Sequence, residues 1–242
     1  MADTVLMDLA RELVLELYPD ARAAWLGGSV VRGDASPTSD LDITVLQDGP
    51  VLRKSIEYGG WPVELFVHTE KSLRYFADKD QARRQPTMMR LVGESVVLVD
   101  TDGSGARLQQ EFLAEVAAGP EPLTADELSL LRYTITDLLE DFASAVGDVR
   151  LAVATVLWQQ AAQLLLTGSG HWSGTGKGLL REVAAYDSVH GSDYAEALLG
   201  GVRAEDSRLV AVVDRILADH GGRLFAGFVI LPTPQEIVGF RV

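Results

Sequence analysis

The 242-residue sequence contains no cysteine. That removes disulfides, thiolate catalysis and cysteine-ligated zinc from consideration. Basic charge is also scarce. The formal net charge is −14, and residues 1–118 and 119–242 each contribute −7. Neither half carries the electrostatic footprint of a general nucleic-acid binder. The acid excess either serves solubility alone or favours a cationic small molecule or a metal-bound ligand. No apolar run approaches the ~20 residues that cross a bilayer. The first twenty residues, MADTVLMDLARELVLELYPD, mix acids with apolar residues and lack a basic start, so they read as an amphipathic helix and not as a signal peptide. The four histidines show no metal-ligand spacing. These absences set the expectation of a cytoplasmic protein that engages neither membrane nor nucleic acid.

What is present divides at GPEPLT, Gly119–Thr124. Before it, helical spacing over residues 4–18 is followed by short apolar runs at AAWLGG (23–28), LDITVLQ (41–47), WPVELFVHT (61–69) and SVVLVD (95–100). Gly59-Gly60 reads as a hairpin turn between residues 53–58 and 61–69. Residues 72–92 read as helical with a break at Pro86, and a helix covers about 107–118. After the linker, Thr124 and Glu127 form a capping box. Helical spacing then covers 125–145, 149–167, 177–200 and 206–219. The expectation is an α+β chain: a mixed-sheet domain over 1–118 and a helical bundle over 119–242.

The chemistry concentrates in GGSVVRGDASPTSDLDI, Gly27–Ile43. Asp40 and Asp42 stand two residues apart on an expected strand, so both carboxylates share one face while Leu41 and Ile43 point into the core. Carboxylates held side by side repel unless a cation lies between them, and an all-oxygen donor set suits Mg²⁺. Upstream, Gly27-Gly28 ends a strand and Ser29 starts a short helix, where backbone N–H groups and a hydroxyl attract phosphate. Arg32 is suited to a phosphate or to a structural ion pair. Gly33 and Asp34 mark a break after about one turn. Glu64, in VELFVH, shares a strand face with Phe66 and His68. It is either a third metal-binding carboxylate on a strand beside Asp40 and Asp42 or an exposed edge-strand acid.

Leu26, Gly28, Ser29, Arg32, Gly33, Ser39, Asp40, Asp42 and Ile43 together resemble the signature of the polymerase-β-type nucleotidyltransferase superfamily. The resemblance covers residues ~20–70. A mixed-sheet domain followed by helices is similar in arrangement to the antibiotic nucleotidyltransferases, such as aminoglycoside adenylyltransferases. The resemblance implies two Mg²⁺ ions on Asp40 and Asp42, with Glu64 binding the one nearer the acceptor. Many members have Asp where this chain has Glu64, which leaves Glu64 as ligand, general base or both. It implies a nucleoside triphosphate, ATP by preference, held by the metals and by Gly28, Ser29, Arg32 and Ser39. It further implies that the second domain binds substrate, and that Lys177 there reaches the triphosphate.

Other features carry less. GSGHWSGTGKG (168–178) fails the phosphate-loop pattern, because His171 stands at its first glycine position. It reads as a flexible connection between helices. Asp137, Glu140 and Asp141 form an acidic helix face, suited to an amine-bearing substrate or simply to water. Trp158 and Trp172 are either base-stacking residues or core. The six basic residues between Lys71 and Arg90 are either a phosphate-binding set or a solvated helix face. The expected function is Mg²⁺-dependent transfer of AMP from ATP to a hydroxyl of a small cationic acceptor. Nucleotide transfer to a protein or tRNA, as in toxin–antitoxin modifiers, and non-catalytic nucleotide binding stand as alternatives.

Overall fold

A computed structural model describes residues 4–33 and 39–230. The chain forms two compact units, Met1–Pro120 and Glu121–Val242.

The N-terminal unit is a five-stranded mixed sheet flanked by helices. Its elements run α1 (Thr4–Leu17), β1 (Ala23–Gly27), α2 (Gly28–Arg32), β2 (Leu41–Leu46), β3 (Leu52–Tyr58), β4 (Trp61–His68), α3 (Glu70–Arg83), α4 (Thr87–Gly93), β5 (Val96–Asp100) and α5 (Ser104–Ala118). The strand order is β3-β4-β2-β1-β5. Only β2 and β4 pair in parallel; the other neighbours are antiparallel. Strand β1 is buried along its whole length. Its AAWLG sequence is apolar without alternation because helices or strands cover it on every side.

Alternation in β2 and β4 sends Leu41, Ile43, Val45, Val63, Leu65 and Val67 to one face. There they form a single core with Leu6, Ala10, Leu13 and Val14 of α1. On the second face, Trp25 donates from Nε1 to the carbonyl of Gly105 at 3.2 Å. Phe112 of α5 is fully buried. Helix α4 approaches β1 so closely that a Cβ on Gly27 would lie 2.9 Å from the carbonyl oxygen of Leu91. Asp80 sets that approach. Its carboxylate is 1% exposed and accepts the N–H groups of Met88 (2.6 Å) and Met89 (3.1 Å), while Arg83 donates to it at 2.8 Å. Pro86 stands at the N-cap position of α4 and offers no side-chain cap, so Asp80 caps the helix from outside.

Of the six basic residues between Lys71 and Arg90, three are paired with acids. Arg74 pairs with Glu111 and Glu115, Arg83 with Asp80, and Arg90 with Glu94. Arg107 extends the first of these pairings by joining Glu111 to Glu70. Arg22 joins Glu70 to Asp102.

The C-terminal unit is helical: α6 (Ala125–Ser144), α7 (Gly147–Gly168), α8 (Gly176–His190), α9 (Tyr194–Ala204) and α10 (Ser207–Asp219). The Thr124–Glu127 capping box opens α6 as its sequence predicts. Helix α7 is long and apolar enough to cross a membrane by length and composition, an exception to the reading that no segment is. Here it is the spine of the helical core. Ala154, Leu157, Trp158, Ala161 and Leu165 pack with Ile135, Leu139 and Phe142 of α6 and with Leu209, Val213 and Ile216 of α10. The expected helix over 177–200 is two helices. Gly191 takes a left-handed conformation, and Asp187 accepts the N–H groups of Tyr194 and Ala195, ending one helix and capping the next. The connection over 168–178 is not a loose loop, since Trp172 and Ser173 are both buried in it.

Replacing Asp80 with alanine strands two amide N–H groups. It is expected to destabilise the fold by about 2 kcal/mol, measured as a shift in the urea midpoint with the m-value unchanged.

Candidate active site

Two strand pairings assemble the site. Antiparallel β1 and β2 set Gly27 opposite Asp42, and parallel β2 and β4 set Asp42 beside Glu64. The chain leaves β1 at Gly27, turns through α2 and returns beside its own exit. Residues 34–38 of that return, Asp34 among them, lie outside the described residues. Strand β2 begins at Leu41, so Asp40 occupies the position just before the strand and not a place within it. Leu41 and Ile43 are fully buried on the opposite face, as the alternation predicts. Asp40, Asp42 and Glu64 are each half-buried, and one carboxylate oxygen from each lies within 4.8 Å of the others. Among the described residues this is the one group of three acids or histidines close enough to share a metal ion.

Burial pushes the Asp42 carboxyl up to about 6, and the neighbouring Asp40 and Glu64 charges push in the same direction. Arg32 and Arg53 oppose the rise. An oxygen-only set of three carboxylates, one of them desolvated, fits a hard divalent cation such as Mg²⁺.

Gly28 carries a specific requirement. Its φ is +74°, and a Cβ there would lie 1.9 Å from Oδ2 of Asp42. Only glycine allows the start of α2 to lie this close to the carboxylate. Val30 anchors the short helix in the core, and Gly33 (φ +80°) ends it by donating its N–H to the carbonyl of Ser29 at 3.0 Å. Ser29 thus stands on the turn that borders Asp42. Ser39 is half-buried and immediately precedes Asp40.

Of the other expected residues, Phe66 is half-buried on the Glu64 side of β4. His68 is buried farther along, edge-on to Phe76 at 5.2 Å, with Nδ1 3.0 Å from the Ser72 hydroxyl. Lys177 belongs to the C-terminal unit, exposed in the first turn of α8. Asp137, Glu140 and Asp141 are exposed on α6. Trp158 and Trp172 are core residues of the C-terminal unit, 9% and 5% exposed, and present no open face for stacking on a base.

Arg53 was not among the residues expected from the sequence. From β3 its Nη2 donates to Glu64 Oε2 at 2.6 Å and Oε1 at 2.9 Å. Ser55 lies opposite Glu64 in the register, its Oγ 3.5 Å from Oε1. The signal was present: a two-residue turn at Gly59-Gly60 fixes Tyr58 opposite Trp61. Counting back from there puts Ser55 opposite Glu64 and Arg53 on the same face.

Two outcomes follow. Gly28→Ala incurs about 1–2 kcal/mol from its left-handed backbone alone, and its methyl group displaces Asp42. Divalent-ion binding measured by titration calorimetry should be lost while far-UV circular dichroism persists. Asp42 binds its proton more tightly folded than unfolded, so its contribution lowers the stability of the metal-free protein as pH rises from about 4 to about 6. Asp42→Asn should remove that slope and stabilise the metal-free fold at pH 7 by about 2 kcal/mol, read from thermal midpoints across pH.

No curated protein matches the chain. Among solved structures, a nucleotidyltransferase-like protein from Exiguobacterium sibiricum aligns with a TM-score of 0.38 at 11% identity, over 88% of this chain and 80% of that one. Residues 7–86, which contain Gly28, Ser29, Arg32, Asp40, Asp42 and Glu64, match the family model of the nucleotidyltransferase domain.

Proposed function

We propose that the protein transfers a nucleoside monophosphate, AMP from ATP, to a hydroxyl of a small cationic acceptor such as an aminoglycoside, releasing pyrophosphate. The observation that carries this reading is the Asp40–Asp42–Glu64 cluster set against a glycine-led turn. Asp40 and Asp42 would hold Mg²⁺, with Glu64 as the third ligand. Bound there, Mg²⁺ would neutralise charge on the attacking and leaving oxygens of an in-line displacement.

The residues of the chain supply the rest. Ser29 offers a hydroxyl and the adjoining backbone to a phosphate, and Gly28 keeps that approach free of a side chain. Arg32, at the end of α2, adds positive charge near Asp42. The acceptor hydroxyl oxygen bonds to the α-phosphorus, the bond from that phosphorus to the bridging oxygen breaks, and pyrophosphate leaves with the electron pair. Glu64, on the side of the cluster remote from Gly28 in the strand order, is the carboxylate suited to accept the acceptor's proton. The acceptor's positive charge is supported by the net charge of −14, shared equally by the two halves of the chain.

Labelled ATP, Mg²⁺ and a panel of aminoglycosides should yield pyrophosphate and a labelled small molecule. Asp40→Ala and Asp42→Ala should each cut the rate by about 10²-fold or more with the fold retained. Label appearing only on protein or tRNA would overturn the acceptor assignment, and turnover surviving either substitution would overturn the site.

A further inference from the structure

Glu64 differs from its two partners in reach. Asp40 and Asp42 are short side chains, and Asp42 is further confined by Gly28 and by its own burial. Glu64 has an additional methylene and an additional torsion, and it leaves the middle of β4, the strand next to the sheet edge. Left to itself, such a side chain samples several rotamers, and those that spread the three carboxylates apart relieve their repulsion. A metal ion would then have to gather Glu64 back in as it binds.

We infer that Arg53 is a positioning residue that holds Glu64 in the arrangement a metal ion needs, an inference that rests on the metal-dependent reading above. Arg53 lies diagonally across the β3–β4 pair, opposite Phe66 and two residues along from the partner of Glu64. Its guanidinium sits 5.1 Å from the centroid of the Phe66 ring, so the side chain is laid along a half-buried aromatic before it reaches the carboxylate. One nitrogen, Nη2, touches both Glu64 oxygens. Ser55 approaches one of them from the directly opposed position.

This grip does not pull Glu64 out of the cluster. With Arg53 bound, a Glu64 oxygen still lies within 4.8 Å of an oxygen of both aspartates. Each carboxylate oxygen has two lone pairs, so one side of the group can accept from Arg53 while the other faces a cation. Metal-bound carboxylates are commonly hydrogen-bonded from behind in this way, and losing such a partner typically costs 10–100-fold in metal affinity or activity. The exposure of the Arg53 side chain, 64%, gives it little part in the fold.

Binding of Mn²⁺ to the nucleotide-free full chain, followed by the paramagnetic resonance signal of the free ion, separates the possibilities. Arg53→Met should weaken Mn²⁺ binding about tenfold with the thermal midpoint close to that of the parent. Arg53→Lys should recover most of the loss, because a single nitrogen makes both contacts. In a Glu64→Ala background Arg53→Met should have no further effect, because the route through Glu64 is gone. Turnover should show the same pattern as a higher Mg²⁺ requirement with the KM for nucleotide little changed. Unchanged or tighter Mn²⁺ binding in Arg53→Met would overturn the assignment, as would the absence of rescue by lysine or a loss that persists without Glu64. A parent protein that binds no Mn²⁺ would overturn the metal site itself, and the role of Arg53 with it.

Discussion

The N-terminal unit is organised around three carboxylates that repel one another. Strand pairing sets Asp42 beside Glu64, Asp40 just before β2 completes a group within 4.8 Å, and the strands are held by the residues between them. Leu41, Ile43, Val63 and Leu65 are all essentially fully buried on the opposite face. A fully buried aliphatic side chain of this size contributes about 1.5–3 kcal/mol. Four of them outweigh the few kcal/mol that correspond to raising the Asp42 carboxyl to about 6. A slip of one residue in either strand would turn the carboxylates into the core and the aliphatic residues into water. Hydrophobic burial therefore fixes an electrostatic arrangement that the carboxylates would not adopt unaided.

The turn after β1 is subordinate to the same arrangement. Because β1 and β2 are antiparallel, the exit from β1 must lie beside the entry to β2, and Gly27 opposes Asp42. Any side chain at residue 28 would occupy the space of the Asp42 carboxylate. The left-handed backbone at Gly28 and the close approach to Asp42 are thus a single requirement, met by the absence of one carbon atom. The helix that follows is only five residues long, so its stability derives from Val30 in the core and from the left-handed stop at Gly33 more than from its own hydrogen bonds.

Much of this was legible in the sequence because it depends on local period. The placement of Asp42 and of Glu64 each opposite the apolar face of its own strand, the hairpin at Gly59-Gly60 and the box at Thr124 and Glu127 all follow from spacing within a few residues, whereas the parallel pairing that brings the two acids together does not. Arg53 was equally countable from the hairpin register, but an exposed arginine on an edge strand gives no signal until its partner is known. Asp80 was illegible for a different reason. It looks like a helical surface acid, yet it reaches across a proline-containing turn to amides eight and nine residues on. The division between α8 and α9 was hidden by apolar spacing that continues through it. Leu179 and Val183 before the break and Tyr194 and Leu198 after it all enter one core. The turn residues Gly191, Ser192 and Asp193 carried the better signal, and Asp187, reaching forward over them to Ser192, Tyr194 and Ala195, is what makes the break stable.

The same partition of charge explains which cations serve the site. Lys71–Arg90 is the most basic stretch of the N-terminal unit, but Arg74 is paired with Glu111 and Glu115 of α5, Arg83 with Asp80 of α3 and Arg90 with Glu94 just after α4. Those three arginines thus tie α3 and α4 to their neighbours. The arginines that act on Asp42 come instead from α2 and β3, Arg32 and Arg53. Three ionised carboxylates and two guanidinium groups leave a formal charge of −1 at the cluster. One divalent cation reverses it to +1. On the proposed function, such a balance would favour a metal ion first and an anion only once the metal is bound. A triphosphate carrying its metal would meet both conditions at once and a free polyanion neither, which is the form of nucleotide the proposed function calls for.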